Sequence, residues 1–246
     1  MKWFAALPVA LLFATPALAV ECRVDTFESD PYTICEVDVT RDALMLFLDN
    51  EAGENFGYFS TIDDALAMHG KRLGFAMNAG MYHDDRAPVG LYIENGVQVQ
   101  RLITSEGPGN FGLLPNGVLC LRKGRADVFE TRRFAAEQPQ CHSATQSGPM
   151  LVIDGALHPR FLPDSTSRFI RNGVGTSTDG TRAVFAISNT TVNFDSFGRL
   201  FRDHLKIDNA LYFDGKVSRI RAPDLGRDDT GWTPLGPIIG VVEPAE

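Results

Sequence analysis

Asn-Gly and Asp-Gly dipeptides recur between short apolar runs, at Asn95-Gly96, Asn116-Gly117, Asp154-Gly155, Asp179-Gly180 and Asp214-Gly215. Both residues of such a pair tolerate positive φ, which a two-residue hairpin turn demands. A chain built this way is committed to local antiparallel pairing. The flanking runs fit: "VGLYIENGVQVQRLI" (89–103), "LLPNGVLCLRKGRADVFE" (113–130), "PMLVIDGALHP" (149–159), "STDGTRAVFAIS" (177–188) and "NALYFDGKVSRI" (209–220) each read as strand–turn–strand. "TICEVDV" (33–39), "ALMLFLD" (43–49), "LGFAM" (73–77), which stops at Asn78, and "GPIIGVVE" (236–243) add single strands. Helical spacing is rare. "TIDDALAMHG" (61–70) runs from Thr61 to Gly70 with cap signals at both ends. "FDSFGRLFRDHL" (194–205) puts Phe197, Leu200, Phe201 and Leu205 on one side. The expected class is α/β and β-rich, a mostly antiparallel mixed sheet with a few short helices in a single domain.

The first residues stand apart from that pattern. "MKWFAALPVALLFATPALA" has one Lys, an apolar run and an Ala-Leu-Ala ending, the layout of a cleavable secretory signal peptide over residues 1–19. The run is too short for a bilayer core of ~30 Å, and no later segment is long and apolar enough to span one. The domain then occupies residues 20–246, and the protein is periplasmic or secreted. The four cysteines agree with export, and four allow three pairings. The favoured pairs are the local ones, Cys22–Cys35 and Cys120–Cys141. Zinc is the weaker reading, since no C-x-x-C spacing occurs. The formal charge is −8, and no Lys/Arg run interrupts it, which argues against a nucleic-acid partner.

Several motifs fail on context. "GPGNFG" (107–112) matches a dinucleotide fingerprint but leads into a strand and turn rather than a helix. No nucleophile elbow and no H-E-x-x-H occurs. "NTT" (189–191) fits a glycosylation acceptor as a short chance match does. "HDD" (83–85) offers oxygen ligands to a hard divalent cation, and reads equally as a solvated loop. No metal ligand and no cofactor is assigned. His69, His83, His142, His158 and His204 share no ligand spacing.

Four polar-plus-glycine segments interrupt the core strands: "NAG" (78–80), "TQSGP" (145–149), "RNGVG" (171–175) and "FDG" (213–215). Glycine lets backbone approach closely, and successive N–H groups can form an anion-binding nest. Arg171 adds a planar fork suited to phosphate oxygens. Asn78 and Ser147 add neutral donors, and Asp214 supplies a carboxylate. Asp154, Asp179 and Asp214 each also read as turn residues before Gly.

With these stretches in view, the chain resembles the phosphodiester glycosidase domain family, which includes an enzyme that removes N-acetylglucosamine from a sugar phosphodiester. "NAGMY", "PVGLYIENG", "GNFGLLPNGV", "ATQSGPMLVIDG", "RNGVGTSTDG", "NALYFDG" and "GPIIGVV" carry the likeness, in order from Asn78 to Val242. It is nearest to a small exported bacterial subgroup. One departure is visible: other branches carry a Gly-rich run after the Asp-Gly, where this chain has "DGKVS", with Lys216 and Val217 before Ser218.

The resemblance implies cleavage at the anomeric carbon of a sugar-1-phosphodiester, on envelope or exopolysaccharide-related glycans. The departing phosphomonoester has a second pKa of about 6, so little protonation is needed. The expected roles follow. Arg171, Asn78, Ser147 and Gly148, with N–H groups near Gly173 and Gly175, hold phosphate. Asp214 stabilises the sugar cation or activates water, and Tyr82 and Glu94 contact sugar hydroxyls. The alternative is a non-catalytic sugar-phosphate-binding protein on the same scaffold. The sequence assigns no oligomeric state.

Overall fold

The computed structural model describes residues 20–245; the leader expected over residues 1–19 lies outside them. Three sheets form the fold, and every strand pairing in them is antiparallel. The largest orders Val20–Phe27, Asp30–Asp38, Arg182–Ser188, Asn172–Thr176, Asn209–Asp214, Met150–Ile153 and Ala156–Leu157. The second orders Arg227–Asp228, Ile220–Ala222, Lys71–Asn78, Ile238–Pro244 and Ala43–Phe47. The third orders Val97–Gln100, Tyr92–Glu94, Ser143–Ser147, Gly117–Arg122 and Arg125–Glu130. The β-rich, antiparallel, single-domain class expected from the turn chemistry is the one observed.

The inner faces of the three sheets meet in one core, where Phe185 and Leu211 face Phe75 and Ile239 and, from the third sheet, Leu119 and Tyr92. Phe75 and Phe185 touch with ring centroids 4.9 Å apart. The outer face of the large sheet is covered by a helix, Phe194–Arg199, that continues as a wider π-helical turn, Leu200–His204. All four residues of the helical stripe, Phe197, Leu200, Phe201 and Leu205, are buried against Ile34, Val184 and Ala186. Each such burial is worth roughly 1.5–3 kcal/mol. Among the described residues no helix is long and apolar enough to cross a membrane.

Four local expectations are corrected. The first helix is Phe59–Ala67, with no side-chain cap; Asp63 instead accepts a hydrogen bond from Leu73 N at 2.7 Å, tying the helix to the second sheet. An unforeseen helix, Thr131–Glu137, follows the strand at 125–130. Glu130 caps it through Arg133 N, and Gln138 closes it at φ 48°. The hairpin within 113–130 turns at Lys123-Gly124, not at Asn116-Gly117. Asn116 is buried, and its Nδ2 donates to Phe111 O. Gly117 opens the strand Gly117–Arg122, and close packing favours glycine there because a Cβ would meet Phe129 O at 2.8 Å. Finally, "NALYFDGKVSRI" is not a hairpin. Asn209–Asp214 belongs to the large sheet and Ile220–Ala222 to the second, so residues 215–219 are a crossover between layers.

Two disulfides close local loops, Cys22–Cys35 and Cys120–Cys141. The first joins residues directly opposite each other on paired strands. The second ties a strand of the third sheet to the segment after the helix at 131–137. Its separation of 21 residues corresponds to roughly 3 kcal/mol in the chain-entropy account. Replacing both Cys120 and Cys141 by Ser is therefore expected to lower the unfolding free energy by about 3 kcal/mol in a urea titration.

Candidate active site

The crossover at 215–219 is held by two buried amides, one from each layer. Asn78, the last residue of Lys71–Asn78, accepts at Oδ1 from Asn172 Nδ2 and from Arg219 N, both at 2.9 Å. Asn172 Nδ2 also donates to Asn78 O at 3.0 Å. Its own Oδ1 accepts from Asp214 N at 3.1 Å. Both side chains are fully buried. Losing either leaves desolvated backbone groups unpaired, at roughly 1–3 kcal/mol each. Asn78 is thus a positioning residue whose effect reaches Asp214 through Asn172. Ser147 works the same way: its Oγ donates to Phe213 O at 2.9 Å, one residue before Asp214.

Asp214 ends the strand Asn209–Asp214, where the chain leaves the large sheet. Its Oδ1 accepts backbone N–H groups from Gly215 at 2.6 Å and Lys216 at 2.9 Å. Burial raises its pKa above the usual carboxylate value, while those N–H groups and Lys216 pull it partway back. The carboxyl faces a cleft of about 700 Å³. Gly215, Lys216 and Val217 form one wall beside it, and Tyr82, His83, Asp84 and Arg86 form another. Tyr212, Phe169 and Asn110 also line the cleft.

Tyr212 was missed in the sequence, although a signal existed. In "NALYFD" it lies two positions before Asp214, so a strand's alternation puts both on one face. Burial pushes its phenol well up; Arg171 pulls it back and Asp214 pushes it further. Asn110, from the failed dinucleotide motif, stands beside the same hydroxyl. Tyr82 lies across the cleft, with the Arg86 guanidinium 5.3 Å above its ring. Burial raises its pKa too, and Asp214 adds to the shift.

Gly215 is obligatory, because a Cβ there would strike the Tyr212 hydroxyl. Gly215→Ala is expected to displace that phenol and lower kcat/KM about tenfold or more, at an overpacking cost of about 1–3 kcal/mol. Steady-state kinetics alongside thermal melting would separate the two effects.

Arg171 is fully buried and lines no part of the cleft. The fork expected to grip phosphate is partly spent inside the protein. Nε donates to Val192 O at 2.9 Å and one terminal nitrogen to Ser167 O at 3.0 Å. The guanidinium stacks on Phe194, Cζ 3.6 Å from the ring centroid, behind Phe169 and Tyr212. Its remaining terminal nitrogen, Nη1, makes no hydrogen bond of good geometry, while the guanidinium interacts with the neighbouring Tyr212 hydroxyl. No carboxylate pairs with it among the described residues. Burial accordingly lowers its pKa. What it offers the cleft is a fixed positive charge.

The remaining candidates lie elsewhere. Gly173 and Gly175 are in the middle of the large sheet with their backbones paired on both sides. A Cβ would meet Leu211 O at the first and Ile207 Cγ2 at the second, each at 2.5 Å. They permit close packing and present no nest to the cleft. Gly148 is pressed against Asn116 for the same reason. Glu94 is in the third sheet, accepting from Tyr92 Oη at 2.8 Å, and does not line the cleft. Asp154 and Asp179 are exposed turn residues. Asp85 caps its own turn by accepting from Ala87 N. Among the described residues no three His, Cys, Asp or Glu side chains converge as metal ligands.

A half-buried carboxyl sharing a cleft with two phenols, with an acid-free guanidinium behind one of them, suits chemistry that develops positive charge next to an anion. The fold is a β-rich antiparallel domain in which one cleft gathers these side chains. A phosphodiester glycosidase family model matches residues 71–228, the interval holding Asn78, Tyr82, Asn110, Arg171, Tyr212 and Asp214, and the chain belongs to that family. Escherichia coli (strain K12) protein YigE, uncharacterized in activity, is 33% identical over 217 residues, covering 88% of this chain and 83% of its own. The fold is similar to the zebrafish N-acetylglucosamine-1-phosphodiester alpha-N-acetylglucosaminidase catalytic domain, auto-inhibited by pro-peptide (TM-score 0.62, 14% identity, 93% of this chain, 85% of that one). It is also similar to a Synechocystis protein (TM-score 0.58, 12% identity, 90% of this chain, 61% of that one).

Proposed function

We propose that the protein is an exported hydrolase that cleaves the glycosidic bond of a sugar-1-phosphodiester on envelope or exopolysaccharide-related glycans. Family membership and the meeting of Asp214, Tyr212 and Tyr82 in one cleft support the reading. The observation that carries it is the half-buried Asp214 carboxyl, which lines the cleft beside a phenol backed by a buried cation with no carboxylate partner. The C1–O bond breaks with its electron pair leaving on the phosphate oxygen. Asp214 stabilises the cationic sugar or takes the proton of the water that adds to C1. Tyr212 and Asn110 hydrogen-bond the phosphate, and Arg171 supplies charge from behind. Lys216 and Arg86 flank the cleft with further positive charge. Asn78, Asn172 and Ser147 hold the crossover. The leader pattern and two disulfides fit an oxidising, extracytoplasmic setting.

One observation favours a second reading, a sugar-phosphate-binding protein without catalysis. Asp214 Oδ1 already caps its own loop, and Lys216 stands in the wall beside it. Phosphomonoester release from a panel of sugar-1-phosphodiesters separates the two. Release by the mature protein, lost in Asp214→Asn, is the expected result. Saturable binding of sugar phosphate without any release would replace the hydrolase by the binding protein.

A further inference from the structure

Outside the cleft, the large apolar side chain least accounted for by folding is Trp232, which is fully exposed. Tryptophan is highly buried on average, and this fully exposed indole sits on an ordered segment next to the cleft, where it is free to contact a ligand. The segment bearing it is not loose. Tyr58 Oη donates to Trp232 O at 3.1 Å, and Arg219 to Thr233 O at 2.8 Å. Leu235 N donates to Gly57 O at 2.7 Å. Gly231 packs against the Arg219 guanidinium. The backbone is pinned on both sides of the indole, and the indole itself packs on nothing.

Its position gives the ligand class. Thr233 lines the 700 Å³ cleft. Gly231 and Leu235, on either side of the indole along the chain, line a second depression of about 260 Å³ with Asp228, Asp229, Arg219 and Ser60. Trp232 therefore lies in the segment between two hollows of mixed polar and apolar walls, one of them the candidate active site. An indole face flanked by carboxylates, hydroxyls and a guanidinium matches a pyranose ring, whose C–H face stacks on aromatics while its rim of hydroxyls takes hydrogen bonds. A purely apolar partner would strip water from those half-exposed charges, Asp228 paired with Arg221 and Asp229 with Arg227, whereas a polyhydroxy ligand keeps them solvated.

We propose that Trp232 is a sugar-stacking platform, so that the substrate is an oligosaccharide. Its sugar-1-phosphate linkage seats in the cleft, and a neighbouring ring lies on the indole and points toward the second hollow. This deepens the proposed function and rests on it for the assignment of the cleft; the platform itself is tested by binding alone.

Once residues 1–19 are removed, Trp232 is the sole tryptophan, so intrinsic fluorescence reports on this residue without labelling. The mature protein would be titrated with glucose 1-phosphate, N-acetylglucosamine 1-phosphate, chitopentaose, cellopentaose and maltopentaose, and with phosphatidylethanolamine/phosphatidylglycerol vesicles. At least one pentasaccharide is expected to shift or quench the emission saturably, and the monosaccharide phosphates to do so weakly or not at all. By calorimetry, Trp232→Ala is expected to weaken that pentasaccharide about tenfold, the size of one good aromatic contact, and Trp232→Phe to recover most of it. Because the side chain is exposed, both variants should melt with the parent. No response to any pentasaccharide, or equal binding by Trp232→Ala, overturns the platform. A response to vesicles alone also overturns it, in favour of a membrane surface. Hydrolysis of a monosaccharide phosphodiester could survive either failure. Conversely, pentasaccharide binding together with no phosphomonoester release from any sugar-1-phosphodiester would leave the platform standing and remove the enzyme.

Discussion

Asp214→Asn is expected to reduce phosphomonoester release by ~10²–10⁴-fold, the range for losing one positioned acid–base group, while leaving the fold intact. The two halves of that expectation have separate causes. Asparagine keeps the Oδ1 that accepts from Gly215 N and Lys216 N, so the crossover stays capped. What it removes is the negative charge facing the cleft. Burial raises the Asp214 pKa in the folded protein. A raised carboxyl pKa contributes stability that is present below the unfolded value of about 3.9 and lost as pH rises through the folded value. The ionised form is therefore a cost at neutral pH. Asp214→Asn should melt at or above the parent there, and the difference should close as pH falls toward the unfolded value. The parent's activity should decline with acid at a higher pH than an ordinary aspartate would give, and residual activity in the variant should lack that limb. A variant that melts well below the parent at neutral pH would make Asp214 a structural turn residue, and a fully active one would remove it from the chemistry.

The second large effect is at Arg171, where charge and volume can be varied separately. Arg171→Ala empties one of the largest fully buried sites, beneath Phe194, and orphans the carbonyls of Val192 and Ser167. A loss of about 3–5 kcal/mol is expected, enough to threaten folding in a domain of ordinary stability. Arg171→Met fills most of the space and removes the cation, so it should fold far better than the alanine variant. Its deficit should appear in anion binding. A unit charge acting over ~8 Å at an effective dielectric of ~20 is worth about 2 kcal/mol, or roughly thirtyfold in affinity. Inorganic phosphate and sugar 1-phosphates are thus expected to raise the melting temperature of the parent and to do so much less for Arg171→Met. Equal protection of both proteins would show that the buried charge does not serve the cleft.

What could be read from the sequence was what local chemistry dictates. Asn95-Gly96 and Asp154-Gly155 are hairpin turns as expected, with positive φ at all four residues, because that conformational demand belongs to the dipeptide. The stripe of Phe197, Leu200, Phe201 and Leu205 was legible because helical spacing gathers it whatever lies opposite. The polar residues ending core strands, Asn78 and Asp214, were visible as interruptions of apolar runs. Family resemblance joined them to one function.

Tertiary structure decided the rest, chiefly which way each buried polar group faces. The strands carrying Asn78, Ser147 and Arg171–Gly175 are covered on both faces, and such strands show no alternation from which a direction can be read. Asn78 and Ser147 turned inward to hold the backbone next to Asp214, and Arg171 turned behind the aromatic wall. Asn116-Gly117 carries hairpin chemistry, yet Gly117 serves close packing against Phe129 and Met150. Asp214-Gly215 resembles a hairpin locally, but the strands on either side pair in different sheets. That divergence creates the crossover, and the crossover brings Asp214, Tyr212 and Tyr82 to one cleft. The residues' chemistry is local, but their meeting depends on how three sheets stack, a property of contacts far apart in the chain.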